Sequence, residues 1–506
     1  MLLRKTIRQE WLLLTLIILV SLSSQIIFIR PVTLSDQMVY YRTAVNFPRL
    51  PEHPNHWSMR LGLILPVAVL YRIFGHSEIV YYFLPIISTI VFITCIYLLG
   101  KTLFSRAVGL SAALWVSFLP YFLSGSGNLL PDITASACLT AGITLIIWIK
   151  DKPSLRRAWW YFFITGMLFG WAYLTKEYFA LFAIIVPGMF WMFKIPRKHL
   201  VPYALGALTI ISIEFIIHYL SYDNALIRLS TIQPRETIGF IQYDALKIIS
   251  NFFILLSKYR SGISVAFAAL GLAYLILMAL KKSHKHIFLI IWFILIYVVF
   301  TILGLMPVLF QWQDQVLLRL HLFRYWTPLL PPLAIGGAAA FESCLDVLVK
   351  LIMKNNRIAS QLGSTALIAC VIGISAGPID AVHGNNKFTL TGSNHYIELR
   401  NFLADSVQAP NTIWIVRDMK IGYENVLPIY ANTPLGKDLW QGRMKYLNTN
   451  GVFLKADEIR DGSVLIDRAH FNPDYYPIPQ YLADPPDNWQ LIFKSSNRRL
   501  AIYDVK

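Results

Sequence analysis

The chain has 506 residues, of which 56% are hydrophobic and only 14% charged, and its formal net charge is +17. A soluble domain of that size cannot solvate so apolar a surface, and the mean hydropathy of +0.53 points to the bilayer as solvent. The Lys and Arg residues fall in short clusters between long apolar runs, which assigns the positive balance to membrane anchoring and anionic headgroups rather than to nucleic acid.

A bilayer crossing takes about 20 apolar residues. In chain order the sequence predicts eleven spans, over 11–28, 78–100, 108–123, 129–148, 158–174, 179–193, 201–222, 263–280, 287–307, 325–349 and 365–377. The first is preceded by Arg4, Lys5 and Arg8. Its apolar stretch is long and 21–24 offers no small-x-small cleavage site, so it reads as a retained anchor rather than a signal peptide. With the N-terminus in the cytoplasm, every second connection is cytoplasmic. Those connections carry Lys101 and Arg106; Lys150, Lys152, Arg156 and Arg157; Lys194, Arg197 and Lys198; Lys281, Lys282 and Lys285; and Lys350, Lys354 and Arg357. The positive-inside rule holds at each, and eleven spans place the C-terminus outside. Cys95, Cys138, Cys344 and Cys370 all fall within spans and read as packing residues, with no disulfide framework and no metal-type cysteine cluster.

The outer connections differ from the inner ones. The first, 30–77, is long and contains "WSMRLGLILPVAVLYRIFG", apolar at helical spacing, too short to cross and interrupted by Pro66. It predicts a helix lying in or re-entering the interface, with Trp57, Tyr71 and Arg72 at headgroup level. The 223–262 connection has an amphipathic second half, apolar at Phe240, Ile241, Leu246, Ile249, Phe252 and Phe253, which predicts a second interfacial helix. A third outer loop, "FQWQDQVLLRLHLFRYW", leads into the tenth span. After 377 the chain turns polar, with β-branched or aromatic runs "TIWIVRD", "SVLIDRA", "WQLIFKS" and "RLAIYDV" separated by turn residues. The expected architecture is an all-α polytopic membrane domain over 1–377, with about eleven transmembrane helices and interfacial helices in its outer loops. A small extracytoplasmic α/β domain over 378–506 follows.

Several polar residues stand out, each with two readings. Asp36, close beyond the first span, is equally an N-cap for a helix starting at Gln37 or Met38 and a candidate general base. Arg60, Lys176 and Arg324 lie at outer helix ends, where they either snorkel to headgroups or meet an anion; Lys176 has Glu177 beside it as a partner. Asp132 opens the fourth span, where a carboxylate suits the positive helix terminus. His53 and His56 have a spacing that suits a metal, a headgroup or an acceptor, and Tyr40 and Tyr41 suit a sugar face or an interface belt.

The order of these elements resembles a family, the GT-C membrane glycosyltransferases, and among them the bacterial protein O-mannosyltransferases and aminoarabinose transferases. "LSDQMVYYRTA" resembles the family's first-loop acid and short helix, and "MRLGLILPVAVLYRIFGHSEIVYYFLPIISTI" its basic residue, interfacial helix, "FG" turn and second span. "LLPDITASACLTAG", "GWAYLTKEYFALFAIIVPG" and "FRYWTPLLPPLAI" are similar to later elements in order. The resemblance implies an inverting enzyme of a bacterial cytoplasmic (inner) membrane. It would move a sugar from a polyprenyl-phosphate carrier to a hydroxyl of a glycan, glycolipid or protein on the outer face. It assigns Asp36 as the base and Arg60, Lys176 and Arg324 to the donor phosphate, with weaker sugar or acceptor contacts at Tyr40, His53, His56, Asp132 and Glu177. Arg260, Arg319 and His321 are further, weaker phosphate candidates. The family often follows its aspartate with a glutamate, where this chain has Gln37. That departure disfavours a divalent metal in the loop and favours a monophosphate donor. The competing readings are a transporter or flippase of lipid-linked or anionic substrates and a polysaccharide polymerase or ligase of another fold. Transporters concentrate charge at mid-membrane, where this chain has chiefly Glu214 and His218.

Overall fold

The computed structural model describes residues 2–27, 32, 36–124, 126–150, 157–231, 250, 252–254, 256, 262–309, 323–352, 365–374, 396, 398–399, 401–402, 412–415, 429, 444–449, 452–467 and 479–505. Most of the amphipathic half of the 223–262 connection lies outside them, as do Arg260, Arg319 and His321. In chain order the helices are α1 (Leu2–Ile27), α2 (Asp36–Asn46), α3 (Leu61–Phe74), α4 (Glu78–Leu103), α5 (Arg106–Ser117), α6 (Pro120–Ser124), α7 (Pro131–Ile149) and α8 (Ala158–Thr175). A 3₁₀ stretch (Glu177–Ile184) leads into α9 (Ile185–Met192), followed by α10 (Leu200–Tyr222), α11 (Ile227–Ser230), α12 (Gly262–Leu280) and α13 (His284–Leu309). A second 3₁₀ stretch (Phe323–Leu329) opens α14 (Leu330–Ile352), and α15 (Thr365–Ile374) ends the apolar part.

Among the described residues, α- or 3₁₀-helix falls within each of the eleven expected span positions. Among the described residues five are long and apolar enough to cross a membrane: Glu78–Leu103, Pro131–Ile149, Arg197–Tyr222, His284–Ile302 and Phe323–Leu348. At the other six positions the helix is shorter, interrupted or less apolar, as where the α5–α6 run breaks before Pro120. The helix expected in the 30–77 connection is present as α3, with Pro66 inside it.

The chain forms two compact units. One comprises Met1–Ile29, Pro54–Leu63 and Pro85–Asn385; the other comprises Arg30–His53, Ile64–Leu84 and Asn386–Lys506. In the first, small residues set how closely helices approach. A Cβ on Gly166 of α8 would stand 1.9 Å from the Tyr203 carbonyl of α10, and one on Gly206 of α10 would stand 2.0 Å from the Phe163 carbonyl of α8. Only glycine permits that backbone contact, the usual device for pairing helices in a membrane. Along α10 the buried residues are Pro202, Gly206, Ile210, Glu214 and His218, a stripe at four-residue spacing. Val201, Leu205, Leu208, Ile216 and Leu220 on its other sides are exposed, the apolar surface a bilayer would cover.

In the second unit the tail folds into a five-stranded sheet of order β2-β1-β5-β7-β6. Its strands are β1 (Ile413–Ile415), β2 (Met444–Tyr446), β5 (Gly462–Asp467), β6 (Trp489–Lys494) and β7 (Leu500–Val505), while β3 (Asn448–Thr449) and β4 (Val452–Phe453) form a separate antiparallel pair. β1 runs parallel to β2 and β5, with Ile413 opposite Met444 and Ser463; β7 is antiparallel to β5 and β6. The short helix α16 (Gln480–Ala483) contributes Leu482 to a core with Trp414, Val464, Ile466 and Trp489. Each of the four apolar runs read from the tail sequence holds a strand among its described residues.

Candidate functional site

The largest concentration of buried charge lies in the first unit, where the starts and ends of several helices converge. Asp132 stands in the first turn of α7, behind Pro131 at the first helical position. α8 ends at Thr175, and the extended backbone of Lys176 turns the chain into the following 3₁₀ stretch. This brings the Lys176 ammonium onto Asp132, to which it donates a hydrogen bond. Arg324, at the start of the second 3₁₀ stretch, places Nε 3.7 Å from the other carboxylate oxygen of Asp132. The ammonium is also flanked by aromatic faces, 4.7 Å from the Tyr178 ring centre and 4.0 Å from that of Tyr325.

A ladder of hydroxyls fixes this arrangement. Ser88 of α4 meets Thr134 of α7 at 3.0 Å. One helical turn beyond Asp132, Ser136 meets Thr327 at 2.9 Å, and Thr327 donates to the Arg324 carbonyl at 2.8 Å. The elements carrying Asp132 and Arg324 are thus joined by side chains as well as by charge.

A second run of charges begins beside Lys176. Glu177 places Oε1 3.5 Å from Nη2 of Arg60 and Oε2 3.2 Å from Nη2 of Arg228, which lies in α11. Arg228 donates from Nη1 to Glu214 of α10 at 2.5 Å. Arg60 reaches this position because Gly62 lies flat on the end of α8: a Cβ there would stand 2.3 Å from Thr175 Oγ1. Trp171 Nε1 donates to the Gly62 carbonyl at 3.0 Å and holds the contact.

Lys176 and Glu177 form the turn between α8 and the first 3₁₀ stretch, and burial acts on both. Burial lowers the Lys176 pKa to about 8, against the opposing pull of the Asp132 carboxylate. Burial alone would raise that of Glu177, but the Arg60 and Arg228 guanidiniums outweigh it and hold the carboxyl at about 2. Four cations thus face the three acids Asp132, Glu177 and Glu214, a buried environment suited to an added anion.

The structure therefore brings Arg60, Lys176, Arg324, Asp132 and Glu177 into one assembly. Asp36, Tyr40 and His53 belong to the second unit. Asp36 is the first residue of α2 and half-buried. Tyr40 and Tyr41 are buried on the same helix, and the Tyr41 hydroxyl lies 3.4 Å from Nδ1 of His76. The Tyr71 hydroxyl lies 3.5 Å from the other ring nitrogen, and burial lowers the His76 pKa to about 4. His53 is exposed; His56 falls in the first unit, its ring 4.1 Å from that of Trp57. Among the described residues no three of His, Cys, Asp and Glu gather at metal-binding range. The reading of the sequence passed over Arg228, which has no motif around it. It noted Glu214 only as a polar residue within a span, although the four-residue stripe Gly206, Ile210, Glu214 was a signal that Glu214 faces inward.

Residues 64–219 match the family model for dolichyl-phosphate-mannose-protein mannosyltransferases, a segment holding Asp132, Lys176, Glu177 and Glu214. No curated protein matches the sequence. Among solved structures the chain is similar to ArnT from Cupriavidus metallidurans in the apo state, at 12% identity and TM-score 0.59 over 99% of this chain and 98% of that one. Against ArnT bound to undecaprenyl phosphate the identity is 13% and the TM-score 0.59, over 98% and 97%. The archaeal oligosaccharyltransferase AglB from Archaeoglobus fulgidus, in complex with an inhibitory peptide and a dolichol-phosphate, matches at 14% identity and TM-score 0.55 over 99% of this chain and 74% of that one. The chain therefore has the GT-C fold that ArnT and AglB share.

Proposed function

We propose that the protein is an inverting glycosyltransferase that moves a sugar from a polyprenyl-phosphate carrier to an acceptor hydroxyl at the outer face of a bacterial cytoplasmic membrane. The observation that carries this reading is the buried assembly of Arg60, Lys176, Arg228 and Arg324 in a GT-C bundle. Four cations set against three acids leave one positive charge in the bundle for an added anion. The likeness to ArnT bound to undecaprenyl phosphate and AglB bound to dolichol-phosphate suggests a lipid phosphate. The family model matched over 64–219 is likewise named for a dolichyl-phosphate sugar.

In this reading residues 1–377 form the catalytic membrane domain, and 378–506 an extracytoplasmic domain. The acceptor is a hydroxyl of a glycan, glycolipid or protein. Its oxygen attacks the anomeric carbon from the side opposite the phosphate, so one displacement inverts the configuration. As the new C–O bond forms, the bond from the anomeric carbon to the phosphate oxygen breaks and its electron pair leaves with the lipid phosphate. Asp36 takes the hydroxyl proton, and its position just beyond the first helix suits a headgroup-level acceptor. Arg60, Lys176 and Arg324 meet the charge that grows on the departing phosphate. The sugar and acceptor lie against His53 and His56, while Asp132 and Glu177 act through the cations they hold.

The test is transfer of a labelled sugar from a panel of undecaprenyl-phosphate sugars by the protein reconstituted in vesicles, wild type against Asp36→Asn. Transfer by the wild type and its loss in the variant, with undecaprenyl phosphate still bound, is the expected outcome. Undiminished turnover by Asp36→Asn removes Asp36 as the base, and no transfer from any donor in the panel removes the enzyme reading.

A further inference from the structure

Glu177 is held from both sides, and the two sides are unequal. Arg60 lies 3.5 Å from one of its oxygens, and Arg228 3.2 Å from the other. Behind Arg228 the chain of charges continues inward. Its Nη1 donates to Glu214 at 2.5 Å, its Nη2 donates to the Tyr173 carbonyl at 3.2 Å, and its guanidinium lies 4.9 Å from the Tyr173 ring centre. Glu214 is fully buried, Arg228 is 4% exposed, and the Glu177 side chain is 25% exposed. The line therefore runs from a dry end at α10 to Glu177, the most exposed of the four, with the Arg60 side chain 10% exposed beyond it.

Two physical consequences follow from that gradient. A carboxylate with each oxygen engaged by a separate guanidinium is fixed in orientation, so Arg228 decides where Glu177 presents its other oxygen to Arg60. A carboxylate shared between two cations also neutralises neither fully. With Arg228 present, Arg60 keeps part of its charge for another anion; without it, Glu177 turns wholly to Arg60. Glu214 is what makes a buried Arg228 tolerable, because a guanidinium at that depth needs a second acid besides the shared one.

We propose that Arg228 and Glu214 are positioning residues for the lipid-phosphate site, forming an arm from α10 that orients Glu177 and leaves Arg60 cationic. Neither touches the phosphate. The inference rests on the reading of Arg60 as a phosphate contact, and it adds two residues to that site, Arg228 with no motif around it and Glu214 marked only by its four-residue stripe.

The experiment measures the Kd for undecaprenyl phosphate of the full-length protein in phosphatidylcholine nanodiscs, together with Tm. The variants are Arg228→Gln, Arg228→Lys, Glu214→Gln and the double variant Glu214→Gln/Arg228→Gln. Arg228→Gln is expected to raise Kd about tenfold, and Glu214→Gln a few-fold, since Arg228 then keeps Glu177 and the Tyr173 carbonyl. Arg228→Lys restores the charge but not the fork, because one ammonium does not bridge two carboxylates in the geometry of a guanidinium, so its Kd stays near that of Arg228→Gln. The double variant separates positioning from mere pairing. If the two residues only satisfy each other, removing both returns Kd to the wild-type value; if they position Glu177, the double variant remains about tenfold weaker. Where Arg228→Gln does not fold, Arg228→Lys and the double variant carry the same comparison. Wild-type affinity in the folded Arg228 variants, or full recovery in the double variant, overturns the arm alone. Failure of the wild type itself to bind undecaprenyl phosphate overturns the lipid-phosphate site, and the arm with it.

Discussion

Asp36 and Asp132 share a local setting and differ in everything around it. Each is a carboxylate in the first turn of a helix, α2 and α7 respectively, where the positive end of the helix favours it. Asp132 is almost fully buried and bonded to Lys176, with Arg324 on its other oxygen. Asp36 is half-buried in the other compact unit. A carboxylate committed to buried Lys176 and to Arg324 is poorly disposed to take a proton from a substrate. Position in a helix does not mark Asp132 as an acid that organises cations; its tertiary partners do.

One substitution made at both positions tests the comparison most severely. Asp36→Asn keeps the size and hydrogen-bonding capacity of the side chain and removes the base. It is expected to lower sugar transfer by about two to four orders of magnitude, as loss of a general base does. Its stability cost is that of one charge in a first turn, about 0.3–1 kcal/mol. Asp132→Asn is expected to act the other way round. It leaves Lys176 buried without its carboxylate and costs roughly 3–5 kcal/mol of stability, the usual penalty for breaking a buried pair from one side. Thermal unfolding in detergent and transfer assays on the same preparations read both. If Asp132→Asn is as stable as Asp36→Asn, the buried pair is not holding the fold.

Sequence legibility followed the same division between local and tertiary signals. Long apolar runs gave away the helices because a bilayer-sized stretch of Leu, Ile and Phe has few other uses. "SVLIDRA" and "RLAIYDV" gave away β5 and β7 for the equivalent reason in a small sheet, while β3 and β4, two residues each, are too short to show a period. Lys176 was marked by its place at the end of a glycine-containing span, with Glu177 beside it as a possible partner. In the structure the two side chains go separate ways: Lys176 to Asp132, and Glu177 to Arg60 and Arg228. Neighbours in sequence seldom face each other once the backbone coils, and the partner 44 positions away is set by how α7 meets α8. Arg228 left no trace in the sequence because its role depends wholly on which helices lie beside it.

The pH response of Lys176 sharpens the contrast further. Its pKa, lowered to about 8 by burial, means that the ammonium loses its proton as pH rises through 8. The site then holds one positive charge less, so affinity for undecaprenyl phosphate is expected to fall several-fold between pH 7 and 9.5, a range in which the phosphate keeps its charge. Stability moves in the opposite direction. A lysine whose folded pKa lies below its unfolded value of 10.5 makes the unfolded chain bind more protons between about 8 and 10.5, so its contribution to stability rises with pH across that window. Lys176→Arg stays charged throughout, and its affinity should be flat over the same range. An equal decline in Lys176→Arg assigns the titration to another group.

The smallest expected effect concerns the hydroxyl ladder that joins the Asp132 and Arg324 elements. Ser136 donates to the Asp132 carbonyl at 2.7 Å and Thr327 to the Arg324 carbonyl at 2.8 Å, so the 2.9 Å contact between the two hydroxyls shares one of these two hydrogens. Ser136→Ala removes that contact together with the bond to the Asp132 carbonyl, and leaves Thr327 its own carbonyl partner, so no buried donor is orphaned. The cost is that of one to two neutral hydrogen bonds, about 1–2 kcal/mol. If the ladder also sets where Arg324 stands, Kd for undecaprenyl phosphate rises two- to threefold beyond what stability explains. Thr327→Ser, which keeps the hydroxyl and drops only a methyl group, should then bind as the wild type does. A Ser136→Ala protein with lowered Tm and unchanged Kd would confine the ladder to packing and leave Asp132 alone to place Arg324.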